Sequence, residues 1–138
     1  MERFDTQLSF ETVAELLDDI VDNDFPYQYY AGLNGGIYLV PEEKHNPRIP
    51  SDNYYVLGEY HRSPVLGRCI YVYYGSFVKL YPHISKERAR EVLKETIAHE
   101  LQHHLEGRAG NRDLEIEDEK YVQRALQRLR HTQDRKGG

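Results

Sequence analysis

Residues 93–119 read LKETIAHELQHHLEGRAGNRDLEIEDE, and inside this stretch His99, Glu100 and His103 stand at H-E-x-x-H spacing. A zinc ion takes imidazole nitrogens at about 2.0 to 2.1 Å, so two histidines serve one ion only if they share a face. On a helix, positions four apart lie about 40° apart around the axis and one turn apart along it. His99 and His103 therefore converge if the segment is helical. Glu100 is displaced from that pair and is a poor ligand. It can instead take a proton from a water held by the ion, while the ion polarises a carbonyl. That is the chemistry of a zinc-dependent peptidase, which hydrolyses peptide bonds with a metal-activated water.

A third ligand has to come from outside the motif. One zinc-peptidase pattern continues H-E-x-x-H-x-x-G-x-x-H or -D, but the residue six after His103 is Ala109, which offers no ligand atom. Gly110-Asn111-Arg112-Asp113 supplies a G-x-x-D three residues late. Asp113 is the preferred third ligand, because it opens the next helix just after the turn that folds it back. Glu115, Glu117, Asp118 and Glu119 are the alternatives. Acids in the first turns of a helix also favour its dipole, and that accounts for most of this run. His104 points about 100° away from His103 and is expected behind the site or at the surface. His45, His61 and His83 are isolated in loop or strand settings and read as polar residues before ligands. Cys69 has no plausible base beside it and reads as a small buried hydrophobe.

The elements that must position these residues follow from periodicity. The motif helix starts near Ser85, a fair N-cap, runs to about Glu106 and stops at Gly107 or Gly110. Its stripe of Leu93, Ile97, Leu101 and Leu105 lies roughly opposite the histidines and predicts packing on a sheet. A second helix spans about Asp113 to Arg130, with acids early and bases late. Before the motif, residues 9–22 form an amphipathic helix capped by Ser9, with Phe10, Val13, Leu16, Leu17, Ile20 and Val21 on one side. GIYLVP, at 36–41, reads as a strand after Gly35-Gly36. YYVLGEYH, at 54–61, and RCIYVYYG, at 68–75, are β-branched and aromatic runs joined by RSPVLG, so they predict a hairpin. Residues 76–81 alternate and extend the sheet or lead out of it. Residues 42–53, with Pro47 and Pro50, are a loop.

Composition narrows the class. The chain has 138 residues, 39% hydrophobic and 30% charged, which fits one domain over 1–138 with a core at about 9–130 and a flexible basic tail at 131–138. The net charge of -5 argues against a general nucleic-acid or membrane-surface binder. A single cysteine makes no internal disulfide, no apolar run approaches a membrane span, and the acidic start lacks signal-peptide features. Together these predict a cytoplasmic protein with no nucleic-acid or membrane partner, while the motif chemistry implies a peptide or protein substrate.

The order of features also resembles a known family, the minimal zincin-like metallopeptidases, small bacterial domains first filed as of unknown function. The similarity covers roughly residues 9–122. It is carried by the Phe10–Ile20 helix with its L-D-D-I, by V-L-G-E-Y, by I-Y-V-Y-Y-G and by T-I-A-H-E-L-Q-H-H, with the His103-His104 doublet its most specific mark. The resemblance implies zinc held by His99 and His103, Glu100 as the catalytic residue, and the aspartate of G-x-x-D, here Asp113, as an aspartate-zincin ligand. It implies an α+β fold, a small mostly antiparallel sheet against the motif helix. It implies no particular substrate, so a non-catalytic interaction or regulatory module, with or without metal, stands as the alternative.

Overall fold

The computed structural model describes residues 7–137 apart from Asp52, Leu66 and 110–112, with side chains at 108–117 and 131–137 also outside the description. Helix α1, Phe10–Asn23, begins where Ser9 Oγ accepts the Thr12 N–H at 3.1 Å. Val13, Leu17 and Ile20 fall on one face at helical spacing and are buried. A short 3-10 turn, Tyr27–Tyr30, leads to β1, Gly36–Val40. A long loop then reaches β2, Gly58–Ser63, and a tight turn returns as β3, Gly67–Tyr73. Gly67 sits at φ 79°, a left-handed backbone that favours glycine. Helix α2, Tyr74–Leu80, follows at once, then α3, Lys86–Ala109, and α4, Asp113–Gly137.

These elements make an α+β fold with a three-stranded sheet in the order β1-β3-β2. The predicted hairpin is present, since β2 and β3 are antiparallel, with Tyr60 opposite Ile70. The expected mostly antiparallel sheet is instead mixed, because β1 runs parallel to β3, with Ile37 beside Ile70. The long excursion between β1 and β2 lets the chain re-enter on the far side of the sheet, which no local pattern encodes. Strand β2 also starts later than expected. Tyr54 to Leu57 stay outside it, with Tyr55 only bridged to His45.

Residues 76–81 form most of a helix instead of a strand. Phe77 is buried in the core, the Ser76 hydroxyl accepts the Lys44 N–H at 2.8 Å, and Gly75 lies so close to the 42–43 backbone that a Cβ would meet Glu43 N at 2.5 Å. Phe77, Val78 and Tyr81 stand at i, i+1 and i+4, which fits one face of a helix, and tertiary packing selects it. Helix α3 runs through Gly107, and α4 continues past Arg130 to Gly137, so the stretch expected as a flexible tail is helical as far as Gly137.

The main core lies between α1, α3 and one face of the sheet. Leu93, Ile97 and Leu101 are buried there as the stripe predicted, while Leu105 is half-buried. Gly58 is a close-approach position, because a Cβ on it would come within 2.6 Å of Thr96 Cγ2. Its absence lets β2, an edge strand, lie directly against α3. Arg90 of α3 ties down the end of α1, reaching Asp19 and Asp24 at 2.7 Å each. Cys69 is buried on the central strand, as expected for a small hydrophobe.

Candidate metal centre

The long helix α3 turns one face to the core and the other to a cleft of about 1000 Å³ between itself, β2, the β1–β2 loop and α4. His99 and His103 stand one helical turn apart on the cleft face, with ring centroids 5.2 Å apart. Asp118 of α4 reaches both. Its Oδ2 lies 2.8 Å from His103 Nε2 and its Oδ1 lies 3.4 Å from His99 Nε2. One ligand atom from each of the three residues falls within 4.8 Å of the others. Two imidazoles and a carboxylate are a donor set suited to zinc or another borderline divalent metal. The side chains of His99 and Asp118 are half-exposed on the cleft face.

Glu100 behaves as its position in the motif suggests. It lines the same cleft and is 8% exposed. Its Oε1 accepts the Tyr60 N–H at 2.9 Å. Burial pushes its carboxyl up to about 7, against the opposing pull of His103 and the Tyr60 N–H. A carboxyl poised there can both accept and return a proton near neutrality.

The carboxylate completing the group is Asp118, one of the four alternatives, while the side chains of Asp113, Glu115 and Glu117 lie outside the described residues. A sequence signal for it exists. The buried positions Val122 and Ala125, and Leu129 beside them, extend back at helical spacing to Asp118, which puts it on the inward face of α4. Glu119 turns elsewhere, to Arg48, whose guanidinium, helped by Gln123, holds the Glu119 carboxyl down to about 2.

Of the two places expected for His104, the structure puts it behind the site and not at the surface. It is fully buried. Its Nε2 donates to the Ala31 carbonyl at 2.8 Å, and its Nδ1 accepts the Tyr60 hydroxyl at 2.9 Å. Tyr60 is therefore fixed at both ends, by His104 through its side chain and by Glu100 through its backbone. A histidine doublet on a helix must send its two rings to different faces, and here the second face is core.

On the opposite face of β2, Glu59 is held by Lys44 at 2.7 and 2.8 Å and by the Tyr73 hydroxyl at 2.7 Å. His61 lies 3.6 Å from Glu59, and His45 pairs with Glu43 at 3.2 Å. Among the described residues neither these histidines nor His83 belongs to a group able to hold a metal. No described helix is long and apolar enough to cross a membrane.

The fold and the cleft define an α+β domain with a two-histidine, one-carboxylate constellation on a helix pair. No family model and no curated protein matches the chain. A solved structure, described as a conserved hypothetical protein from Thermo thermophilus, is 32% identical, with a TM-score of 0.59, over 74% of this chain and 98% of that one. The chain belongs to the same family as that protein.

Proposed function

We propose that this protein is a zinc-dependent peptidase of the minimal zincin-like type. The observation that carries the reading is the convergence of His99, His103 and Asp118 ligand atoms within 4.8 Å, in the cleft that Glu100 lines. A divalent metal bound by these three residues would supply Lewis acidity toward a peptide carbonyl and toward water. Glu100 takes the proton of the attacking water and returns it to the leaving amine. To do so it shares or releases the Tyr60 N–H that it now accepts.

Substrate alignment falls to β2. The Tyr73 N–H bonds to Leu57 O, which sets the odd-numbered residues of β2 toward β3 and leaves the backbone groups of Gly58, Tyr60 and Arg62 on the outer edge, where Glu100 takes the Tyr60 N–H. An extended peptide could add to that edge through main-chain hydrogen bonds. The partner implied is therefore a peptide or a flexible protein segment.

A second reading, a metal-binding module without turnover, is favoured by one observation: the Glu100 carboxylate is already engaged by the edge strand. One comparison separates the two. Zinc-loaded wild type and Glu100→Gln are incubated with a broad peptide library and the products read by mass spectrometry. The peptidase predicts cleavage by wild type only, with metal retained by both. Identical product profiles for the two proteins would leave the module.

A further inference from the structure

Among the described residues, those buried in the main core all come from the chain before helix α4. Its own buried side chains, Val122 and Ala125, pack with Ile49 from the β1–β2 loop, edged by Tyr54, Leu126 and Leu129. A second tie joins the same two pieces. Arg48 grips the Glu119 carboxylate with both terminal nitrogens, Nη1 on Oε1 and Nη2 on Oε2, the latter at 2.9 Å. Glu119 is the sequence neighbour of Asp118, and the two are directed to different sides, one to the loop and the other to the histidines of α3. The same loop forms a wall of the cleft through Asn46, Tyr55 and Val56.

From this arrangement we infer that Arg48 is a positioning residue for the metal ligand. The loop carrying Arg48 and Ile49 straps α4 in the place where Asp118 faces His99 and His103, so metal affinity is linked to docking of the cleft wall. The inference rests on the metal reading proposed above. A bidentate guanidinium–carboxylate pair fixes direction as well as distance, which a single charge does not. Among the described residues, the apolar contact that docks α4 on the loop is this one cluster, so its loss is felt at the site. Linkage then requires that metal binding favour the docked strap by the same factor.

The test is zinc affinity, measured by competition with a chromophoric chelator, for the full chain and for Arg48→Ala, Arg48→Lys and Ile49→Ala. The sign is diagnostic. Removing a positive charge near a cation site tightens binding by Coulomb's law alone. Positioning predicts the reverse: Arg48→Ala weakened about two- to five-fold, Arg48→Lys falling between it and wild type, and Ile49→Ala, which changes no charge, weakened by about ten-fold or more. Circular dichroism checks that each variant is folded. Wild-type affinity, or tighter binding, in Arg48→Ala overturns the inference and leaves the metal reading standing. A wild type that binds no zinc overturns the metal reading, and this inference with it.

Discussion

Glu100 is the residue where function and stability pull apart. Burial raises its carboxyl to about 7, so in the metal-free protein it is protonated below that pH and forced to ionise, buried, above it. The sign follows from linkage. Where both folded and unfolded chains are protonated, below about pH 4, the group contributes no difference. Between about pH 4 and 7 only the unfolded chain ionises, so the folded state bears a growing cost, which levels off at about 3 kcal/mol above pH 7. Glu100→Gln removes the charge while keeping shape and an acceptor for the Tyr60 N–H. The metal-free variant should therefore be more stable than wild type at pH 8 and equal to it near pH 4, a comparison urea titration can make. Greater stability of wild type at pH 8 would contradict the account of this carboxyl. At this scale the sequence was generous with spacing and silent on direction. His99, Glu100 and His103 could be read from i, i+1 and i+4 alone. That His104 turns into the core to hold Tyr60 and Ala31 could not, because those partners lie 44 and 73 residues away in the chain.

At the scale of elements, α3 decides whether the site exists at all, since one face makes the core and the other the cleft. Leu101 sits on the core face, one turn from Ile97, and is 1% exposed. Truncation to alanine should cost about 2 to 5 kcal/mol by chemical denaturation, and a loss under about 1 kcal/mol would mean that the α3–sheet packing is misassigned. The tie between α1 and α3 has its own signature. Arg90 holds the Asp24 carboxyl below the usual carboxylate range. A depressed folded-state pKa gives stability that is present above the ordinary value near 4 and lost as pH falls through the folded one. Arg90→Met should therefore flatten the acid limb of the stability profile below about pH 4, and an unchanged acid limb would show the pair to be idle. The helices and the hairpin were legible because their information is local: periodicity, Ser9 and Ser85 as caps, and the β-branched run of β3. Two features were not. The parallel pairing of β1 with β3 depends on where a long loop lands, and the helical state of 74–80 on what Phe77 and Gly75 meet.

The whole molecule is a two-part structure around one cleft, a main core that carries His99, Glu100 and His103, and a strapped helix that brings Asp118 to them. The two histidines were readable from one segment, whereas the third ligand depends on how α4 folds back, and the inward face shared by Asp118, Val122 and Ala125 is its only trace in the chain. Because metal would bridge the two parts and bind the folded chain, it should raise thermal stability by mass action, about 2.7 kcal/mol at a free concentration 100-fold above Kd. The most direct measurement is zinc stoichiometry. Wild type, His103→Ala and Asp118→Asn are loaded with excess zinc near pH 7.5, desalted and analysed by atomic emission. The account predicts about one equivalent retained by wild type and a small fraction of that by either variant. It is contradicted if wild type retains none, or if His103→Ala and Asp118→Asn retain as much as wild type.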